Sequence, residues 1–247
     1  SIRATIVSHS NENRSMLSRF AKQLCFLTCQ ACLLLTSTQS AAAQTDGYTA
    51  EKLAPYFQRI ADDYQITVGN DDLTLRSQPL MNWKNPVRTQ SQGALYVWEL
   101  RGRPQVLGSI FTYQYNNVVR CRHELISLAD GPLTARLESD VVWSPNRAGP
   151  EWTQWDASLI PAPSASRRLF QMRSIARRFI GKLTMPNGQV STLTLIPQPL
   201  LRYEDADDGV IDGAVFSLAQ GTDPEILIVV QAKKSRDDTI TFYYSPI

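Results

Sequence analysis

Through most of the chain apolar and polar residues follow a short period, in runs of strand length rich in β-branched and aromatic residues. Residues 73–83, 93–100, 106–116, 118–128, 133–143 and 152–155 form such runs. The breaks between them are short and carry turn formers: Asn85-Pro86, Arg101-Gly102-Arg103-Pro104, Asn116-Asn117, Asp130-Gly131-Pro132 and Ser144-Pro145-Asn146. Breaks this short leave no room for crossover connections, so they predict hairpins of an antiparallel sheet. Beyond the turn Pro186-Asn187-Gly188, further strands are expected over 189–196, 200–204, 210–219, 226–233 and 239–244.

Two stretches keep a helical period instead. Leu53, Tyr56, Phe57 and Ile60 predict a short helix over about 49–60, with Glu51 near its positive end. Leu169, Met172, Ala176, Phe179, Ile180 and Leu183 predict a longer amphipathic helix over 167–183, capped by Ser164 or Ser166 and ended by Gly181. Together these elements imply an α+β fold, mainly antiparallel sheet, with the longer helix packed on it. One domain over 44–247 is the expectation; two lobes meeting near residue 162, beside the segment Pro161-Ala162-Pro163, is the alternative. No internal repeat or low-complexity tract is visible.

The N-terminus reads differently. Arg14, Arg19 and Lys22 precede an apolar run over 24–35, and Ala41-Ala42-Ala43 follows a polar stretch. That order is the basic, apolar and small-residue sequence of an export signal, expected to start at Met16 and to be cleaved after Ala43; residues 1–15 are an extension before it. The apolar run has 12 residues, against about 20 for a bilayer span, so no stable membrane anchor is expected. Cys25, Cys29 and Cys32 lie inside this run. Their spacing matches an iron–sulfur triplet, but an export segment supplies no second shell for a cluster. Only Cys121 is then left in the body of the protein, which excludes an internal disulfide. Removing 1–43 leaves 21 basic against 22 acidic side chains, a balance of −1 where the whole chain has +2. Nucleic acid is therefore not an expected partner.

Chemistry-bearing residues are sparse, and no cofactor motif or enzyme signature stands out. Arg167, Arg168, Arg173, Arg177, Arg178 and Lys182 fall on the arc of the second helix opposite its apolar stripe. They are read either as a grip on an anionic ligand or as a solvated face paired with Glu204, Asp205, Asp207, Asp208 and Asp212. The acidic stretch itself does not fit the helix-loop-helix calcium pattern, since Phe216 stands where the closing Glu belongs. No metal is expected. Cys121 and His123 share one strand face with Val119 and Leu125, too far apart for a nucleophile and its base, so burial is the expectation. All five tryptophans, 83, 98, 143, 152 and 155, precede the second helix, and Phe111, Tyr113 and Tyr115 alternate with polar residues. That ladder is either core or a stacking platform for sugar rings. The carboxylates Glu99, Glu124, Asp140, Glu151 and Asp156 are available near it, with nothing in their spacing to pair them.

At Trp83-x-Asn85-Pro86-Val87, Gly131-Pro132-Leu133, Trp143-Ser144-Pro145, Arg167-Arg168-Leu169-x-Gln171-Met172-Arg173, Pro197-Gln198-Pro199-Leu200-x-Arg202-Tyr203-Glu204, Asp212-Gly213-Ala214 and Gln220-Gly221-Thr222-Asp223-Pro224-Glu225 the chain resembles uncharacterised exported proteins of planctomycete-type bacteria. The resemblance covers the chain from about residue 73 and implies a bacterial envelope setting, with no activity attached. The expectation is thus an exported, periplasmic or secreted, non-catalytic domain that binds an envelope component or partner protein. A hydrolase acting on glycans through sheet carboxylates and exposed tryptophans is the alternative.

Overall fold

A computed structural model describes residues 3–8, 50–88, 91–116, 118–185 and 187–247. The expected export signal and its three cysteines lie outside these residues. The described chain is mostly antiparallel sheet with two helices. In order it comprises β1 (Arg3–Ser8), α1 (Ala50–Asp62), β2 (Tyr64–Val68), β3 (Asp71–Asp72), β4 (Thr74–Leu75), β5 (Met81–Asn85), β6 (Ser91–Leu100), β7 (Arg103–Tyr115), β8 (Val118–Ser127), β9 (Leu133–Leu137), β10 (Asp140–Trp143) and β11 (Thr153–Gln154). There follow α2 (Ala165–Ala176), β12 (Phe179–Thr184), β13 (Val190–Thr192), β14 (Thr194–Leu195), β15 (Leu201–Asp205), β16 (Val210–Gln220), β17 (Asp223–Lys234) and β18 (Ile240–Pro246).

This order is one unit used twice, and the expectation of no internal repeat is wrong. Helix, strand, short hairpin strand, two-residue strand and four further strands occur over 50–127 and again over 165–246. The only near-identical stretch is short: Leu73-Thr74-Leu75-x-x-Gln78-Pro79-Leu80 returns as Leu193-Thr194-Leu195-x-x-Gln198-Pro199-Leu200. Backbone bonds repeat with it. Leu73, Arg76 and Leu80 donate to Ile66, Val97 and Leu95, and Leu193, Ile196 and Leu200 donate to Gly181, Ser217 and Val215. The β6–β7 and β16–β17 hairpins also share a register shift at the same place, between Trp98 and Glu99 and between Leu218 and Ala219. Bulges are specific enough devices that their recurrence supports duplication.

The remaining differences blur the repeat in the sequence. Leu73 and Leu193 are 120 positions apart while the strand residues they bond, Ile66 and Gly181, are 115 apart. The second repeat has a longer β12–β13 connection, and hydrophobic identities drift because cores constrain volume and pattern more than residue type.

The second helix is the other correction. It ends at Ala176, and Phe179, Gly181 and Leu183 alternate inward along β12. So α2, at 12 residues, is no longer than α1, at 13. Ser164 does occupy the N-cap, but through its backbone; its side chain makes no capping bond.

Each repeat buries a helix against its own sheet. Leu53, Phe57 and Ala61 join Ala94, Tyr96, Trp98, Val106 and Ile110 in one core. Met172, Ile175 and Ala176 join Ala214, Phe216, Leu218, Ile228 and Val230 in the other. The opposite faces of the two sheets pack on each other through a third core, in which Leu95, Leu107 and Met81 have Val215, Leu227 and Leu201 as their counterparts. Equivalent positions from both halves thus meet across one interface, as in a two-fold dimer joined by residues 128–164.

Polar clamps lock the same interface. The Asn85 side chain accepts from the Arg88 N–H at 3.2 Å, and the Asp205 side chain accepts from the Asp208 N–H at 3.2 Å. From the first of these turns Arg88 reaches Asp223 at 2.8 Å and also pairs with Glu225. At the second, Asp208 receives Arg103 at 3.3 Å, and Arg103 also pairs with Asp205 and Asp130. Positions 88 and 208, and 103 and 223, are equivalent. The clamp is built twice with its charges exchanged.

Candidate functional site

The repeats differ most where the helix meets the end of its sheet. In the second repeat Asp212, 1% exposed, accepts from Arg168 Nε at 2.9 Å and from Arg202 Nε at 2.7 Å. Arg168 Nη1 also donates to the carbonyls of Ala162 and Pro163, and Arg202 Nη2 to that of Ala165. A buried carboxylate is tolerated because two guanidinium groups and the helix lead-in satisfy it on all sides. This knot fills the space between α2, β15 and β16.

In the first repeat the equivalent positions are Leu53, Asn82 and Gln92. None carries a charge, and no knot forms. A cleft of about 470 Å³ opens there instead, lined by Phe57, Asn82, Trp83, Lys84, Pro86, Gln92, Gly93, Gly221 and Thr222. Its floor is set by backbone geometry. Gly93 lies under Trp83 and Phe111, where a Cβ would stand 2.9 Å from the indole and 2.5 Å from Phe111 Cβ. Its far wall belongs to the second repeat: Thr222 Oγ1 accepts from the Lys84 N–H at 2.9 Å and donates to the Lys84 carbonyl at 3.0 Å. The cleft therefore exposes a mostly apolar lining, with Asn82, Lys84, Gln92 and Thr222 as its polar residues, a set that can hold a small molecule with one flat apolar side.

The arginines read as a ligand grip do not form one face. Arg168 is buried in the knot, and Arg173 donates to the Pro197 carbonyl at 2.8 Å and to Gln198. Arg167, Arg177 and Arg178 are exposed, while Lys182 belongs to β12. Of the acidic stretch, Asp212 does answer Arg168, but Asp205 and Asp208 pair with Arg103, and Asp207 with Arg101.

Cys121 and His123 lie beside the first core, as their strand position implies. Burial pushes the Cys121 thiol up to about 11, against weaker lowering by Tyr56 and a backbone donor. Burial likewise lowers the His123 pKa, and His123 Nδ1 lies 2.9 Å from the Tyr64 hydroxyl. Cys121 thus has Tyr56 as its neighbour and His123 has Tyr64, so the two do not form a nucleophile and its base.

The aromatic ladder is neither pure core nor a free platform. Trp83 and Trp98 are buried at 3% and 1% exposure, and Trp143, Trp152 and Trp155 are half-buried. Phe111 sits 5.3 Å from Trp83 and 6.2 Å from Tyr113. Beyond them Arg122 covers Tyr113 and Arg120 covers Tyr115, both at 5.1 Å. Glu124 shares this strand face, and its carboxyl is held above the usual range, chiefly by burial, with Arg122 opposing. Asp223 is raised for the same main reason, opposed by Asn85 and Arg88. Glu99 is paired with Arg76. No group of three or more metal-ligating side chains occurs among the described residues, and no helix among them is long and apolar enough to cross a membrane.

No family model, curated protein or solved structure matches this chain. Asn82, Lys84, Gln92 and Thr222 were not singled out by the sequence. Laying Leu73-Thr74-Leu75 over Leu193-Thr194-Leu195 places Asn82 opposite Arg202 and Gln92 opposite Asp212, which is the signal that finds them.

Proposed function

We propose that the protein is an exported, non-catalytic binding domain of the bacterial envelope, and that its ligand is an acidic saccharide unit seated in the cleft of the first repeat. The observation that carries this reading is the open cleft at the place where the second repeat is closed by Arg168, Asp212 and Arg202. The exposed apolar lining, to which Pro86 and the stem of Lys84 contribute, suits the apolar side of a sugar ring, the amide of Asn82 suits a hydroxyl group, and the Lys84 ammonium suits a carboxylate. The export pattern over 16–43 and the resemblance to exported planctomycete-type proteins support the envelope setting.

The test copies the second repeat into the first. The double change Asn82→Arg with Gln92→Asp supplies the pair that closes the second site. Acidic saccharides are expected to raise the melting temperature of the wild type by mass action, neutral ones less, and neither that of the double variant. Lys84→Ala should weaken acidic ligands about tenfold, the worth of one charge-assisted bond. Charge reversal at Arg177 should leave binding unchanged. A double variant that binds as well as the wild type rejects the site.

A glycan hydrolase is the second reading, and it draws on Glu124, which shares a strand face with Phe111 and Tyr113 and whose carboxyl is raised by burial, with Asp223 of the Arg88 clamp acting on it electrostatically. It requires release of reducing ends from a glycan by the wild type and loss of that release in Glu124→Gln.

A further inference from the structure

In each repeat the strand after the helix has a neighbour on both edges. β2 lies between β3 and β9, and β12 lies between β13 and β1. The β9–β2 ladder runs from Tyr64↔Leu137 to Val68↔Leu133, and the β1–β12 ladder from Ser8↔Phe179 to Arg3↔Thr184, both antiparallel. So β1 holds in the second repeat the place that β9 holds in the first. Its origin differs, because β9 follows its own repeat closely, while residues 9–49 separate β1 from α1. The six pairs of the β1–β12 ladder run without a register shift. On the acceptor side Phe179, Gly181 and Leu183 are buried, and a Cβ on Gly181 would stand 2.9 Å from Leu193 and 3.0 Å from Ile226 and Leu218. That close packing fixes the strand rigidly. The usual devices that blunt an edge, a proline, a bulge or several charges, are missing from β12, whose one charge is Lys182.

We propose that the outer edge of β12 is a strand-acceptor site. It takes Arg3–Ser8 of its own chain, and when that segment is lost it takes an extended segment of a different protein that matches the resident strand: about six residues, antiparallel, with small and β-branched side chains like Ala4-Thr5-Ile6-Val7. The exchange rests on the export reading, under which residues 1–43 leave the mature protein. Ladder hydrogen bonds supply the affinity, and the tether makes the resident strand the stronger competitor through its effective concentration.

The test displaces the resident strand in the full-length chain. Successive antiparallel pairs alternate between bonded and non-bonded, so Thr5→Pro together with Ile6→Pro removes at least one ladder bond and the strand conformation. In the wild type, amide exchange along Phe179–Thr184 is expected to be slow, and a labelled peptide of residues 1–10 should bind at least tenfold more weakly than to the variant. In the variant those amides should exchange faster, and added peptide should slow them again; the same peptide with both prolines should not. Unchanged exchange in the variant, equal binding of the peptide by both proteins, or binding of the proline peptide overturns the proposal. A variant that dimerises and keeps its dimer in excess peptide overturns the choice of occupant in favour of a second copy. Saccharide binding in the cleft should be the same in both proteins, so the two readings fail separately.

Discussion

Leu53, Asn82 and Gln92 in the first repeat stand where Arg168, Arg202 and Asp212 stand in the second. Any one of the three charges alone would be a buried or half-buried ion without a partner, which costs several kcal/mol. All three together make a satisfied knot. The difference teaches that the site changed as a unit, and that a cleft stands in the first repeat where the charged knot stands in the second. The polar clamps teach the complementary lesson. A first repeat paired with another first repeat would set Arg88 against Arg103, and two second repeats would set Asp208 against Asp223. Only unlike halves satisfy both clamps, so the exchanged charges specify pairing across the duplication.

The hardest blow to this comparison falls on Asp212. Its replacement by Ala leaves Arg168 buried without its carboxylate and is expected to cost about 3–5 kcal/mol in urea unfolding; Gln92→Ala, at the matching position, should cost under about 1 kcal/mol. Equal effects would mean that the two sites are not equivalent. Next come the glycines under the aromatic rings. A Cβ on Gly93 meets the Ile110 carbonyl at 2.7 Å as well as Phe111, and one on Gly213 meets the Tyr203 ring at 2.5 Å. Either change to Ala should cost about 1–3 kcal/mol, with Gly93 the worse because backbone yields least.

The clamps sharpen the comparison further. A double-mutant cycle on Arg88 and Asp223 should give a coupling of about 1–2 kcal/mol. The cycle on Arg103 and Asp208 should give less, because Asp208 is 35% exposed and shared with Lys233. Exchanging the charges, Arg88→Asp with Asp223→Arg, should restore most of what either change alone removes. The smallest effect is the pH dependence due to Glu124, which has no counterpart in the second repeat, since Ser245 occupies its register place. A carboxyl whose pKa is raised on folding contributes stability that is present below its unfolded value and lost as pH rises through the folded one. Stability followed from neutral pH down into the carboxylate range should therefore gain from Glu124, and Glu124→Gln should flatten that slope.

Much of the sheet was legible because hairpin chemistry is local. Arg101 and Gly102 both take positive φ, 51° and 84°, and the strands on either side begin and end close to where their alternation does. The second helix was overextended for an equally physical reason. Phe179, Ile180 and Leu183 satisfy a helical period measured from Met172, and Phe179, Gly181 and Leu183 satisfy a strand period; only packing against Leu193, Leu218 and Ile226 chooses between them. Strand β2 was missed because Tyr64–Val68 is short and half polar. The arginines were assigned by helical angle alone, which places Arg168 correctly on the chain but says nothing about the carboxylate that draws it inward from 44 residues away.

By itself the sequence determined the antiparallel class, the hairpin positions, both helix starts to within two residues and the half-buried place of Cys121 against the core, since each depends on neighbours a few positions apart. The tertiary structure alone decided that the chain is one unit used twice, that one copy is knotted and the other open, and that a distant N-terminal segment completes the second copy's small sheet. Those facts depend on which residues meet across the fold, and contacts at separations from 44 residues, as in Arg168–Asp212, to 181, as in Arg3–Thr184, leave no local periodicity in the chain.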